Sequence, residues 1–151
     1  MKLSILLPYK ENFSPNYAGA VSLFVKDTTL RSKFKNNIHV FGFTNYKKKL
    51  LKNYVNISLD KKFYKSSSKQ YVNNFIKLEK KINSDIVEIH NRPNYIKFIK
   101  NNLKSKIILY FHNDPLSMNG SKTVISVIYQ SAPKQKLILK IKKILYHLLV
   151  S

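Results

Sequence analysis

Short apolar runs, each closed by polar or turn-forming residues, recur along the chain. They are Leu3–Pro8 (LSILLP), Ile38–Gly42 (IHVFG), Asp85–Ile89 (DIVEI) and Ile107–Phe111 (IILYF). Runs of this length and near-continuous apolarity suit strands buried on both faces of a parallel sheet. Between them the apolar spacing changes to three and four. Val21, Phe24, Val25 and Thr28 predict a helix that begins near Ala18 and ends before Asn36-Asn37. Val72, Phe75, Ile76, Leu78 and Ile82 predict a second helix over Tyr71–Ile82, with Ser66-Ser67-Ser68 placed to cap it. Pro93 suits the first turn of a short third helix reaching Leu103. Tyr54 to Ile57 fits a short strand, and the rest of the lysine-rich stretch from Thr44 to Gln70 reads as a solvated loop.

The order is strand, helix, strand, loop, helix, strand, helix, strand. Alternation of this kind predicts an α/β fold with a Rossmann-like, doubly wound and mostly parallel sheet. Ligands of such sheets bind outside the carboxyl ends of the strands. Three polar segments are thereby expected on one rim: the loop Tyr9–Ala20, His90-Asn91-Arg92, and His112-Asn113-Asp114.

Each segment carries a chemical possibility beside a plainer one. Ala18-Gly19-Ala20 lies where the first strand gives way to the first helix. Small side chains there let backbone N–H groups approach a phosphate or a sugar, aided by the helix dipole; they equally suit close helix–sheet packing. His90 and Arg92 can hold a carboxylate or a phosphate. Glu88 shares the strand face of His90. It can orient the histidine, although a structural buried acid is the favoured reading. His112 beside Asp114 can serve as general base or as a group that orients a hydroxyl, while Asn113 and Asp114 also suit simple turn bonds. The histidines lack metal-ligand spacing, so no metal is expected. No nucleophile elbow marks a serine hydrolase, and the absence of cysteine excludes disulfides and thiolate chemistry.

Composition modifies this picture in one respect. With 28 Lys and Arg against 7 Asp and Glu, the net charge is +21, which invites a nucleic-acid reading through phosphate neutralisation. Yet all but Arg31 and Arg92 are lysine, whereas base reading and bidentate phosphate grips favour arginine. Lysine, asparagine and isoleucine together also match an AT-rich coding bias, which is preferred as the source of the charge. Attraction to anionic lipid is compatible with either origin. The 44% hydrophobic fraction supports a packed core. No apolar run approaches the roughly 20 residues of a membrane span, and the first apolar run is too short for a signal peptide. The chain is therefore expected in the cytoplasm, with peripheral contact at the inner membrane face as a further expectation.

Three pieces, "ILLPY" with "SPNYAGAVSLFV", then "SDIVEIHNRPNY", then "KIILYFHNDPLSMNGSKT", resemble the N-terminal domain of family-4 (group 1) glycosyltransferases of the GT-B fold. The resemblance runs over residues 1–123 and is weakest in the lysine-rich middle. It implies a metal-independent parent enzyme of polysaccharide biosynthesis. That enzyme would move a hexose from a nucleotide sugar, its co-substrate, to a glycan or lipid-linked acceptor. The N-terminal domain of such enzymes mainly holds the acceptor. By the same resemblance His112, with Asp114, lies at the reaction centre. Gly19, with Ala18, takes the place of a Gly-Gly pair near the donor phosphate. His90, Asn91, Arg92 and Asn113 line the cleft. The donor-binding half is not in this sequence, so the chain alone is expected to be inactive, as a fragment. Residues 124–151 depart from the resemblance. They form a basic tail whose Leu137, Ile141, Ile144, Leu145 and Leu148 have helical spacing, read either as a shifted reading frame or as an amphipathic helix on a membrane. The alternatives are a non-catalytic acceptor-binding subunit and a basic nucleic-acid-binding α/β protein.

Overall fold

A computed structural model describes residues 1–59 and 67–113. Asp114 and the 124–151 tail, and with them the readings placed there, lie outside the described residues. Five strands form one sheet: β1 (Leu3–Leu6), β2 (Ile38–Gly42), β3 (Tyr54–Asn56), β4 (Ile86–His90) and β5 (Lys106–Tyr110). The order is β3-β2-β1-β4-β5 and every neighbouring pair is parallel. Helices α1 (Ala20–Arg31), α2 (Ser67–Ile82) and α3 (Ile96–Lys100) flank it. The fold is α/β and Rossmann-like. Parallel strands need crossover connections; α1, α2 and α3 supply three of the four, and residues 43–53 carry the chain from β2 to β3 without a helix.

Alternation along β1 assigns its two faces. Leu3, Ile5 and Leu7 pack with Phe13, Val21, Val25, Ile38 and Val40 on the α1 side. Leu6 packs with Phe41, Tyr71, Phe75, Val87, Ile89 and Ile99 on the side of α2 and α3. Burying each such aliphatic or aromatic side chain contributes about 1.5–3 kcal/mol, so both layers hold β1 at the centre of the sheet. At its amino end a polar cluster fixes α2 to β1. Ser4 Oγ donates to Glu79 Oε2 at 2.5 Å, Ser84 N–H donates to Glu79 Oε1 at 2.8 Å, and the Ser4 and Ser84 hydroxyls lie 2.8 Å apart. Glu79 is buried there with its oxygens satisfied.

Several boundaries differ from the expectation. The second helix begins at Ser67, a turn before Tyr71, so Ser67 and Ser68 lie inside it, and Ser68 Oγ bonds Tyr95 Oη at 3.3 Å. The third helix opens as a 3-10 turn at Pro93–Tyr95 and ends at Lys100. Asn101 and Asn102, weak helix formers, close it with backbone bonds to Lys97 and Ile99. The strand after Ser84 runs one residue further than expected, so His90 is its last member, paired with Tyr110.

The chain passes from β3 across the sheet to β4, which lies against β1 on the side opposite β2. The carboxyl ends of β1 and β4 are therefore the topological switch point, the place where open α/β sheets form a crevice.

Candidate functional site

Glu88 and His90 stand two residues apart on β4 and so face the same way, toward the α1 side shared with Ile5. The carboxylate is hydrogen-bonded to the ring: Glu88 Oε1 lies 2.6 Å from His90 Nε2. The other ring nitrogen continues the row, with His90 Nδ1 at 2.7 Å from His112 Nε2. His90 is wholly buried and His112 half-buried, so the row runs from the interior to the rim.

Backbone geometry explains why two histidines 22 positions apart meet. The β4–β5 register pairs His90 with Tyr110, and Asn91 N–H extends the ladder to Tyr110 O at 2.9 Å. Asn91 then turns the chain with φ of 50°, a left-handed conformation that asparagine tolerates better than most residues. From this position its Oδ1 accepts the backbone N–H of His112 at 2.7 Å. Asn91 thus ties the end of one strand to the segment that follows its neighbour and sets the position of His112.

Aromatic rings hold the row laterally. His90 stacks on Tyr110 and on His112 with centroids 5.4 and 5.0 Å apart. Phe24 of α1 meets His112 edge-on at 5.0 Å and Tyr110 at the same separation. Burial, reinforced by the neighbouring His90 and opposed by Glu88, pushes the His112 imidazole down to about 4. That ring is neutral at neutral pH. Burial, with the Glu88 charge adding to it, raises the Tyr110 phenol.

The segment after β1 takes a different shape. Glu11 folds back over the start of α1 and accepts the Ser22 N–H on Oε1 at 3.0 Å. Gly19 is the N-cap residue and has no side chain to make that bond. A Cβ on Gly19 would stand 2.2 Å from Glu11 Oε1. The space left by the glycine is thus filled by the protein's own carboxylate, at the end of the helix where the dipole favours negative charge.

The rim residues named from sequence separate accordingly. His90, Asn91, Arg92, His112 and Asn113 come together at the carboxyl ends of β4 and β5, and Ala18 with Gly19 stands after β1 on the same edge. Asn91 is buried and uses its side-chain oxygen on the backbone. Arg92 turns inward and donates from Nη1 to Asn91 O at 2.8 Å. Glu88, favoured as structural, is a member of the row. Phe24, read only as part of a helical core stripe, and Glu11 were missed. Period-two alternation joins Glu88 to His90, and Glu11 is the one acid in the loop Tyr9–Ala20. No local signal marks Phe24. Among the described residues, no three His, Cys, Asp or Glu side chains form a group able to hold a metal.

Comparison with protein-family models, with curated proteins and with solved structures found no match.

Proposed function

We propose that this chain carries the acceptor-side half of a sugar-transferring cleft. The parent enzyme would transfer a hexose from a nucleotide sugar to a glycan or lipid-linked acceptor. The observation that carries this reading is the Glu88–His90–His112 row, which starts on β4, a strand of the switch point, and ends after β5 on a neutral, half-buried imidazole. A neutral imidazole suits hydroxyl chemistry: it can orient a sugar O–H or take its proton, the general-base role in attack on an anomeric carbon. The motifs "IHNRPNY" and "YFHNDP", which brought the glycosyltransferase resemblance, contribute the two histidines of this row.

The acceptor half holds the nucleophile, whereas fast transfer needs pre-organised groups on both reactants. The chain alone is therefore expected to bind acceptor-like sugars weakly and nucleotide sugars not measurably. Nuclear magnetic resonance titration tests both halves of this statement. Methyl hexopyranosides at millimolar concentration should shift the ring signals of His112 and the amides of Asn91 and Asn113. UDP-hexoses should leave the spectrum unchanged. Tight UDP-hexose binding, or a rim indifferent to every hexoside, would remove the reading.

A further inference from the structure

Glu88, His90 and His112 form a chain of two short hydrogen bonds, and such a chain has a direction. A carboxylate can only accept, so His90 Nε2 carries the hydrogen in the 2.6 Å contact with Glu88. With its ring neutral, His90 has one N–H, given to Glu88, and Nδ1 is left as an acceptor; two pyrrole-like His90 nitrogens in the nitrogen-15 spectrum would mark an imidazolium and overturn the direction of the row. The 2.7 Å contact then requires that His112 donate from Nε2. His112 is in turn left with a bare Nδ1, and no partner bonds that nitrogen among the described residues.

We propose that Glu88, acting through His90, is a positioning residue that locks His112 in the Nε2–H tautomer, so that the rim presents His112 Nδ1 as a hydrogen-bond acceptor for a hydroxyl. The ligand class follows from the sign of the contact. A bare ring nitrogen takes an O–H donor and repels the oxygens of carboxylate or sulfate, which carry no O–H at neutral pH. The site therefore selects polyols over anions at this position, although the chain as a whole is strongly cationic. Burial makes the lock firm. His90 is wholly enclosed, and reversing its tautomer would set a bare nitrogen lone pair against the Glu88 oxygen with no water to separate them. Phe24 and Tyr110 keep the rings from rotating away. No proton leaves the row in this role. The polyol class rests on the acceptor-side reading above for its identification with a sugar, but the tautomer does not.

The experiment reads nitrogen-15 shifts of the histidine rings in the full 151-residue chain at neutral pH. In the wild type, His112 should show a pyridine-like Nδ1 and a pyrrole-like Nε2, and His90 the same pattern. Glu88→Gln offers His90 an amide that can donate or accept, and Glu88→Leu offers nothing. Both should move the two His112 nitrogens toward averaged shifts, a change that loss of packing alone would not impose on a ring two bonds away. A His112 proton on Nδ1 in the wild type would overturn the proposal, as would an unchanged His112 pattern in the Gln variant. If the Leu variant fails to fold, the wild-type spectrum and the Gln variant still decide. Inorganic sulfate, which carries no O–H at neutral pH, should leave Nδ1 unmoved; a sulfate-induced shift there contradicts the polyol preference. The expected tautomers in a chain that binds no hexoside would keep this inference and remove the sugar reading alone.

Discussion

At the scale of single residues, His112 ties stability to pH. Its imidazole has an ordinary value of 6.5 and lies at about 4 in the folded chain. Between those values the unfolded chain binds more protons than the folded one, so unfolding free energy rises with pH across the interval. Stability from this group is complete above about pH 6.5 and is lost as pH falls toward 4. Urea denaturation across this range should show a shallower pH dependence in His112→Gln than in the wild type; parallel profiles would mean that the ring is not desolvated. In a transferase of the kind proposed that contains this chain, His112→Ala should lower kcat about 10²–10⁴-fold, the usual contribution of a positioned acid–base group, while circular dichroism shows the fold retained. Near-normal turnover would remove His112 from the reaction.

Secondary-structure elements are joined here by small polar clusters. Glu11 acts as the cap that Gly19 cannot provide. Gly19→Ala should force the flexible Glu11 side chain out and destabilise the chain by about 0.5–2 kcal/mol, the range of a lost N-cap. Glu11→Ala should cost a similar amount. The double variant should be scarcely worse than either single one, because both remove one interaction; additive losses in urea melts would disprove the cap. At the other end of the sheet, Ser4→Ala takes a donor from the buried Glu79 carboxylate. The expected loss is about 1–3 kcal/mol, the penalty of an unsatisfied buried polar group, again read from denaturant midpoints.

On the scale of the whole molecule, charge opposes compaction. The net charge is +21, and among the described residues the ion pair of a lysine is Lys26 with its neighbour Asp27 at 3.6 Å. Self-repulsion of this kind destabilises the folded state and is screened within about 10 Å at 0.1 M salt. The urea midpoint should therefore rise as sodium chloride increases from about 0.01 to 0.2 M. A flat or falling midpoint would show that repulsion among the lysines does not limit stability. No helix among those residues is long and apolar enough to cross a membrane.

Much of this architecture is legible in the order of residues. Four apolar runs separated by stretches of helical spacing point to parallel strands with crossovers, and parallel strands bring Gly19, His90 and His112 to one edge. Period two alone puts Glu88 and His90 on one face. Helix ends were legible only approximately: the second helix takes in Ser67 and Ser68, read as its cap, and the third stops at Lys100 rather than Leu103. What tertiary structure decided is the partnership itself. Whether His90 meets His112 depends on the β4–β5 register, and register is set by which side chains fill the two core layers, not by any local pattern. The same holds for Phe24 against those rings and for Glu11 against Ser22. Each is a meeting of segments distant in sequence, and its free energy exists only once the sheet has formed.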